Sequence, residues 1–413
     1  MLFNYIKVAL KVLGRRRFFT FISLFGISLT LVVLMVATAI LENVFTPRAP
    51  ESRFDRVLTI RKVSMRGPHF TTTSEPGYGF IERYVKNLEG AERTAVYSTV
   101  SQSVIFDGAR RIDAQLRRTD GNYWQILDFE FIEGGPFTEA DNQEGRFVAV
   151  ITDDLKQKLF GAGPAVGRTF ETGGQRYSVI GVVPSVPISR MVAFSSIWTP
   201  IRTLKGRDYE TKMVGSFGAI VLARGRSDFD LIRGDFSQRL SRFAFDDPAR
   251  YDRVIASLDT PFEAVARGIL AGSIEGHEAA TLRAILAIVA LLFLTLPTMN
   301  LVSINLSRIM ERSSEIGVRK AFGASSRTLV GQFVVENVVL TLIGGVAGLL
   351  LTIAALAVLG RSEVIPHAVF TVNLRVFAWA MVIAAIFGVI SGAYPAWRMS
   401  RMQAVDALRG GAA

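Results

Sequence analysis

The chain has 413 residues, half of them hydrophobic and a fifth charged, with 47 Lys and Arg against 36 Asp and Glu and no cysteine. That balance lies between a pure bundle of membrane spans and a soluble enzyme, and any core must hold by packing alone. Residues 42–280 carry 31 basic and 31 acidic side chains, so the net charge of +11 resides wholly in the remaining, apolar segments; a nucleic-acid-binding protein concentrates its charge in a soluble domain, and that class is excluded.

Residues 1–17 open the chain with Leu2, Ile6, Ala9 and Leu13 on one helical face and Lys7, Lys11, Arg15, Arg16 and Arg17 among them, the pattern of an interfacial helix on the inner leaflet. Residues 18–41 follow as an unbroken apolar run. Ala37-Thr38-Ala39 resembles a signal cleavage site, but the run exceeds the roughly 7–15 residues of a signal h-region and suits the ~20 needed to cross a bilayer. It reads as a retained first span.

Residues 42–280 form a globular insert of mixed α+β character in two lobes. Its expected strands are 57–63, 95–106, 112–117, 147–151 and 213–223. Two alternating runs around Gly173-Gly174 within 168–183 predict a hairpin. Helices are expected at 77–88, after the capping cluster Thr152-Asp153-Asp154, at 227–245 and at 248–270. The last of these is expected to run toward the second span, interrupted only by Gly268, Gly272 and Gly276.

Three further apolar runs give spans at 281–305, 332–359 and 374–396, joined by a segment at 306–331 and a short loop at 360–373, with a tail at 397–413. Arg308, Arg312, Arg319, Lys320 and Arg327 lie in the first connection, and Arg398, Arg401 and Arg409 follow the last span. The positive-inside rule therefore places both termini and 306–331 in the cytoplasm and the large insert outside. The expected fold class is an α-helical membrane protein of four transmembrane helices with a large extracytoplasmic α+β domain between the first and second. Gly344 and Gly348, with Ala384, Gly388 and Gly392, form small-residue stripes that suit close packing, either within one chain or between two.

Catalytic constellations are missing from the sequence. His69, His277 and His367 are scattered, and there is no HExxH, no cysteine cluster and no GxSxG elbow. The run GAGPAVGRT at 161–169 lacks P-loop spacing and contains Pro164, so it reads as a turn, and the chain does not hydrolyse ATP by a P-loop mechanism. Apart from Glu336 at the mouth of the third span, the spans lack acids, so no proton path is marked. The chain is not expected to be an enzyme or to hold a cofactor or metal of its own.

After the second span comes Glu311-Arg312-Ser313-Ser314-Glu315-Ile316-Gly317-Val318-Arg319-Lys320-Ala321-Phe322-Gly323-Ala324-Ser325. Physically it is a short helix stopped by Gly323, with Glu315 and Arg319 at i,i+4 spacing and Ile309, Ile316 and Phe322 available for apolar contact. Both a solvated loop helix and a docking helix satisfy that pattern. Together with Gln332-Phe333, Glu336-Asn337 and Gly344-Gly345, it resembles the permeases of the MacB/FtsX superfamily of ABC transporters. Tyr394-Pro395-Ala396-Trp397-Arg398 and Ala404-Val405-Asp406-Ala407-Leu408-Arg409 are similar to the family's terminal motifs, with Ala404 replacing Pro and Asp406 replacing Glu. Gly121-Asn122-Tyr123-Trp124, the run Phe131-Ile132-Glu133-Gly134-Gly135-Pro136-Phe137, and Lys158-Leu159-Phe160-Gly161 before Val166-Gly167 are similar to its extracytoplasmic core.

The resemblance implies a coupling helix carrying Glu311, Arg312, Glu315, Ile316, Gly317, Arg319, Lys320, Phe322 and Gly323. This helix would dock on a separate cytoplasmic ATPase that binds the ATP. It also implies a dimer with a second permease copy or a paralogue, a periplasmic adaptor, and residence in the bacterial inner membrane. The function implied is ATP-driven movement of the outer domain for export of a periplasmic substrate. An FtsX-like transmitter acting on a cell-wall hydrolase and a lipoprotein-releasing permease are the alternatives. An insert of about 240 residues exceeds FtsX-type loops, and the spacing of Asn300 and Asn305 before Glu311 differs from that of macrolide exporters.

Overall fold

A computed structural model describes residues 2–15, 17–108, 110–245, 247–270, 274, 276–311, 318, 325–362, 366–368 and 370–400. The chain divides into two compact units. One comprises Met1–Asn43, Ala284–Val364 and Val369–Ala413; the other comprises Val44–Arg283 with Ile365–Ala368.

The first unit begins with α1 (Leu2–Arg15) and α2 (Arg17–Phe45), and the Thr20 hydroxyl donates to the Leu13 carbonyl at 3.0 Å across their junction. At 29 residues and ~1.5 Å rise per residue, α2 exceeds the ~30 Å of a hydrocarbon core. It buries Ser23, Ile27, Leu31, Met35, Ala39 and Asn43 in a stripe of four-residue steps and exposes Phe18, Phe21, Phe25 and Leu29. The other helices of this unit are α9 (Glu278–Glu311), whose first residues lie in the outer unit, α10 (Ser326–Arg361) and α11 (Leu374–Ser400). Among the described residues, Arg17–Phe45 and Val330–Arg361 are long and apolar enough to cross a membrane, and Leu374–Ile390 is a shorter apolar helix.

The outer unit is built on two sheets. The strands are β1 (Val57–Ile60), β2 (Val63–Arg66), β3 (Thr71–Pro76), β4 (Ala91–Ser98), β5 (Ser101–Asp107), β6 (Arg110–Thr119), β7 (Glu133–Gly134), β8 (Val148–Thr152), β9 (Thr169–Thr172), β10 (Gln175–Val183), β11 (Ile197–Pro200), β12 (Val214–Gly215), β13 (Phe217–Ala223) and β14 (Arg253–Ala256). The larger sheet runs β1-β13-β4-β6-β11-β8-β10-β9-β5, with β7 on β10; the smaller runs β12-β3-β2-β14. Because β5 also pairs with β6, the strands β6, β11, β8, β10, β9 and β5 close into a ring. Its interior is filled by Ile105, Leu116, Ile151, Phe170, Tyr177 and Val179.

Six short helices complete this unit: α3 (Tyr78–Phe80, continuing as a π turn through Val85), α4 (Tyr123–Ile126), α5 (Glu139–Glu144), α6 (Asp153–Phe160), α7 (Phe229–Leu240) and α8 (Pro261–Ile269). Thr152 caps α6 by accepting from the Leu155 amide. Gly173 and Gly174 both take positive φ in the two-residue turn joining β9 to β10, the conformation that lets a hairpin follow the native twist.

The run 131–137, singled out by resemblance, is a packing device. Phe137 is buried edge-on to Trp124 at 5.3 Å between centroids, and Phe131 packs on the same ring at 5.7 Å. Gly134 has φ +62 and its missing Cβ would collide with the Ile180 carbonyl. Gly181, at the bulge in β10, faces the Phe131 ring. Glu133 pairs with Lys156 and accepts from the Ala165 amide at 2.8 Å.

Three sequence expectations need correction. The helix expected over 248–270 is a strand and then a helix. Residues 253–256 form β14, antiparallel to β2, and α8 starts only where Thr260 and Glu263 make a capping box with Pro261 at the first helical position. α8 ends at Ile269 and does not continue into α9, which starts at Glu278. The strands expected at 57–63, 95–106 and 213–223 are each two strands; β1 and β2, like β12 and β13, belong to different sheets, and Thr99-Val100 separates β4 from β5.

Among the described residues, two carboxyls lie in the interior of this unit. Asp120 accepts from the amides of Val96 (2.9 Å) and Tyr123 (3.0 Å). Glu51 accepts from Arg190 (3.3 Å) and the Ala193 amide (3.1 Å). Burial outweighs these bonds and pushes both carboxyls up to about 7.

Replacing Gly134 by Ala forces a Cβ into a backbone carbonyl at positive φ. It is expected to lower the stability of the 44–283 unit by more than about 2 kcal/mol in urea, whereas Gly163→Ala, with open space around it, costs under about 0.5 kcal/mol. Glu51 and Asp120 are raised above their unfolded values of 4.5 and 3.8. The folded unit therefore holds protons that the unfolded chain has lost, and stability falls as pH rises through that window toward about 7. The urea midpoint is expected to be higher at pH 5.5 than at pH 8, with the slope reduced in E51Q and in D120N.

Candidate functional site

The expected coupling segment begins where α9 ends at Glu311, and α10 opens behind Ser325, whose hydroxyl accepts from the Thr328 amide at 3.2 Å. Arg312, Glu315, Ile316, Gly317, Arg319, Lys320, Phe322 and Gly323 lie outside the described residues.

Gly344, Gly348 and Gly388 lie at helix crossings. A Cβ at Gly344 would stand 2.9 Å from Ile27 Cγ2, and one at Gly348 would stand 3.1 Å from Leu31 Cβ, so both glycines admit α2. The Ser28 hydroxyl donates to the Gly344 carbonyl at 2.9 Å. Gly388 on α11 faces Thr341 of α10 at 2.8 Å from its virtual Cβ. Gly392 lies one turn further along α11. These contacts are within one chain, and they bring α2, α10 and α11 together through backbone approach.

A second constellation, not singled out in the sequence, sits where the chain enters and leaves the outer unit. Its centre is α8. Arg267 on this helix makes a bidentate pair with Asp259, both bonds at 3.0 Å, and lies 3.6 Å from Glu278, the first residue of α9. All three side chains are between 10 and 14 % exposed, so charges this well covered depend on one another. Asp259 is tied onward by its backbone, which exchanges hydrogen bonds with Thr59 of β1 at 2.7 and 2.8 Å.

The other end of α8 receives the last residue of α2. Phe45, the last residue of α2, packs on Phe262 at 5.2 Å between centroids, and the Arg283 guanidinium of α9 lies 5.6 Å over the same ring. Arg233 of α7 holds Glu263 at 2.6 Å and the Leu258 carbonyl at 3.0 Å. A cavity of about 410 Å³ lies beside this knot, lined by Arg233, Asp259, Arg267 and Glu278 among others. A local signal could have found it: Thr260-Pro261-Phe262-Glu263 is a helix start. The acid–base partners across 259–278 carry no periodicity.

Two sequence-family models match the chain. That of the MacB-like periplasmic core domain matches residues 20–238, and that of the FtsX-like permease C-terminal matches residues 287–404. The chain belongs to the MacB/FtsX superfamily of ABC transporter permeases. The uncharacterized ABC transporter permease YknZ of Bacillus subtilis (strain 168) is 25% identical over 339 residues, covering 80% of this chain and 79% of its own length. The macrolide export ATP-binding/permease protein MacB of Bdellovibrio bacteriovorus is 26% identical over 292 residues, 70% of this chain but 42% of that protein, so the chain spans less than half of such a relative. Among solved structures, the extracellular domain of YknZ aligns with TM-score 0.36 and 18% identity over 48% of this chain and 99% of that one. The periplasmic region of MacB from Actinobacillus actinomycetemcomitans aligns with TM-score 0.39 and 14% identity over 56% and 96%.

For this MacB/FtsX permease, replacing Arg267 by Met leaves Asp259 and Glu278 facing one another without a counter-charge. The 44–283 unit is expected to lose about 3 kcal/mol in urea unfolding. Glu278→Gln, which removes the longer contact only, is expected to cost about 1 kcal/mol or less.

Proposed function

We propose that this chain is the permease subunit of a MacB-type exporter. It crosses a bacterial inner membrane four times with both termini inside, pairs with a second permease copy or a paralogue, and works on a separate cytoplasmic ATPase. Nucleotide-driven movement, received at the 306–331 segment, passes along α2 and α9 to the outer unit, which hands a periplasmic substrate to an adaptor. Similarity to MacB permeases supports the export reading.

The observation that carries the reading is the convergence on α8. Phe45 closes α2 and Glu278 opens α9, and both engage the same nine-residue helix, itself bonded through Asp259 to β1. A displacement of either helix end reaches the sheet through a short, charged and aromatic joint. The large outer domain is what separates this reading from an FtsX-like transmitter, and a lipoprotein-releasing permease differs from it in cargo, which co-purifying partners identify.

Exchanging the charges as Glu315→Arg with Arg319→Glu keeps an i,i+4 pair but reverses what a docked ATPase meets. Permease-stimulated ATPase activity in reconstituted membranes is expected to fall to the basal rate, while the outer unit unfolds as before. Stimulation unchanged from the native chain would remove the coupling role.

A further inference from the structure

Beneath the segment 184–196 the outer unit holds a cavity of about 230 Å³ lined by Arg61, Glu75, Tyr97, Arg117, Phe194 and Phe217 among others. It shares no lining residue with the cavity beside α8.

Arg117 is 3 % exposed. Its Nε donates to the Phe194 carbonyl at 3.2 Å and its Nη2 to the Met191 carbonyl at 2.9 Å, and its plane lies 4.9 Å over the Tyr97 ring. No acceptor among the described residues meets Nη1. Tyr97, 5 % exposed, also has a hydroxyl without a partner there. Its ring lies against Gly218, where a Cβ would stand 2.7 Å from Cζ, so the glycine is what admits the ring.

A buried guanidinium satisfied only by neutral carbonyls and a ring face lacks the counter-charge that normally justifies its desolvation. Glu51, the buried acid that feels the charge of Arg117, is already engaged by Arg190 and the Ala193 amide. Of the charges lining the cavity, Arg61 and Arg117 are positive and Glu75, bonded by the Thr99 hydroxyl, is negative. The lining therefore carries one uncompensated positive charge. Phe194, Phe217 and the side chains of Ile188 and Met191 form the remaining wall. Ile188 and Met191 are largely exposed at its outer side, on a segment whose backbone is fixed from within by Arg117 and Glu51.

We infer that this cavity is a binding site for a small monocarboxylate on an apolar body, with Arg117 Nη1 and the Tyr97 hydroxyl donating to its two oxygens and Phe194 and Phe217 packing its hydrocarbon. The unpartnered Nη1 and the Tyr97 hydroxyl give a donor to each of the two oxygens of a carboxylate, and one excess charge matches a monoanion. The volume falls below the roughly 300–1,000 Å³ of drug-sized pockets. The occupant is therefore of the size of an arylalkanoic acid, not of a macrocycle.

The test uses full-length protein in lipid nanodiscs, with 3-phenylpropionate as probe and 3-phenylpropanamide as its neutral analogue, followed by saturation-transfer NMR and calorimetry. The acid is expected to bind with Kd on the order of 1 mM or tighter, and the amide at least about tenfold more weakly. Tyr97→Phe removes only a hydroxyl without a protein partner, and it should weaken the acid about fivefold with the unfolding midpoint unchanged. Arg61→Gln should weaken it more at low than at high salt. Because Arg117 also holds the overlying segment, Arg117→Lys is read only if its unfolding midpoint matches the native chain. Equal binding of acid and amide, no binding of the acid in the millimolar range, or a Tyr97→Phe protein with native affinity would each overturn the assignment.

Discussion

Asp259 and Glu278 share one guanidinium, and the tie between α8 and the first turn of α9 depends on that sharing. Arg267 gives Asp259 the bidentate face and leaves Glu278 the longer contact. The first is therefore the fixed bond and the second the adjustable one. Because Asp259 is also locked to Thr59 by two backbone hydrogen bonds, the fixed half belongs to the sheet and the adjustable half to α9. Partial burial makes the arrangement stiff: well-covered charges cannot drift apart without exposing one another to a medium that solvates them poorly. Glu278 is placed well for a second reason, since a carboxylate in the first turn of α9 faces the positive end of the helix dipole.

The parts of the fold legible in the sequence were those whose cause is local. Gly173-Gly174 between alternating runs announced a hairpin, and Thr152 before two aspartates announced a helix start, because turn conformation and capping are properties of a few adjacent residues. The stretch 248–270 failed for a nonlocal reason. Val254 and Ile255 sit among polar residues with no strong period, and only the free edge of β2 turns them into a strand. Sheet assignment was likewise invisible. Nothing in 57–66 says that β1 and β2, two residues apart, pair with β13 and β14 at far ends of the domain sequence. The family-like motifs at 121–124 and 131–137 were visible as patterns, yet their purpose, aromatic packing around Trp124 and a backbone crossing at Gly134, needed coordinates.

The helices of the membrane unit use polar groups sparingly and mostly in self-contained ways. On α10 the buried positions include Gln332, Asn337, Thr341 and Thr352, whereas Leu342, Ile343, Val346, Leu350 and Leu351 are exposed. Thr341 and Thr352 return their hydroxyl protons to carbonyls one turn back, which satisfies them without a partner helix. With lipid on one side there is little hydrophobic gain from bringing helices together. Close backbone approach at Gly344 and Gly348, and the Ser28 bond to Gly344, then contribute a larger share of the association than they would in water.

The six-stranded ring has a seam. β5 and β9 meet at one residue pair, Ile105 and Thr172, supported by the Thr172 hydroxyl on the Val104 carbonyl at 3.1 Å. Every other neighbour in the ring shares at least two paired positions. A cylinder stitched at one point resists shear around most of its circumference but parts along that line under torsion. Any twisting load on the outer unit would thus be relieved by unzipping there, leaving the remaining pairings intact and able to guide the seam shut again.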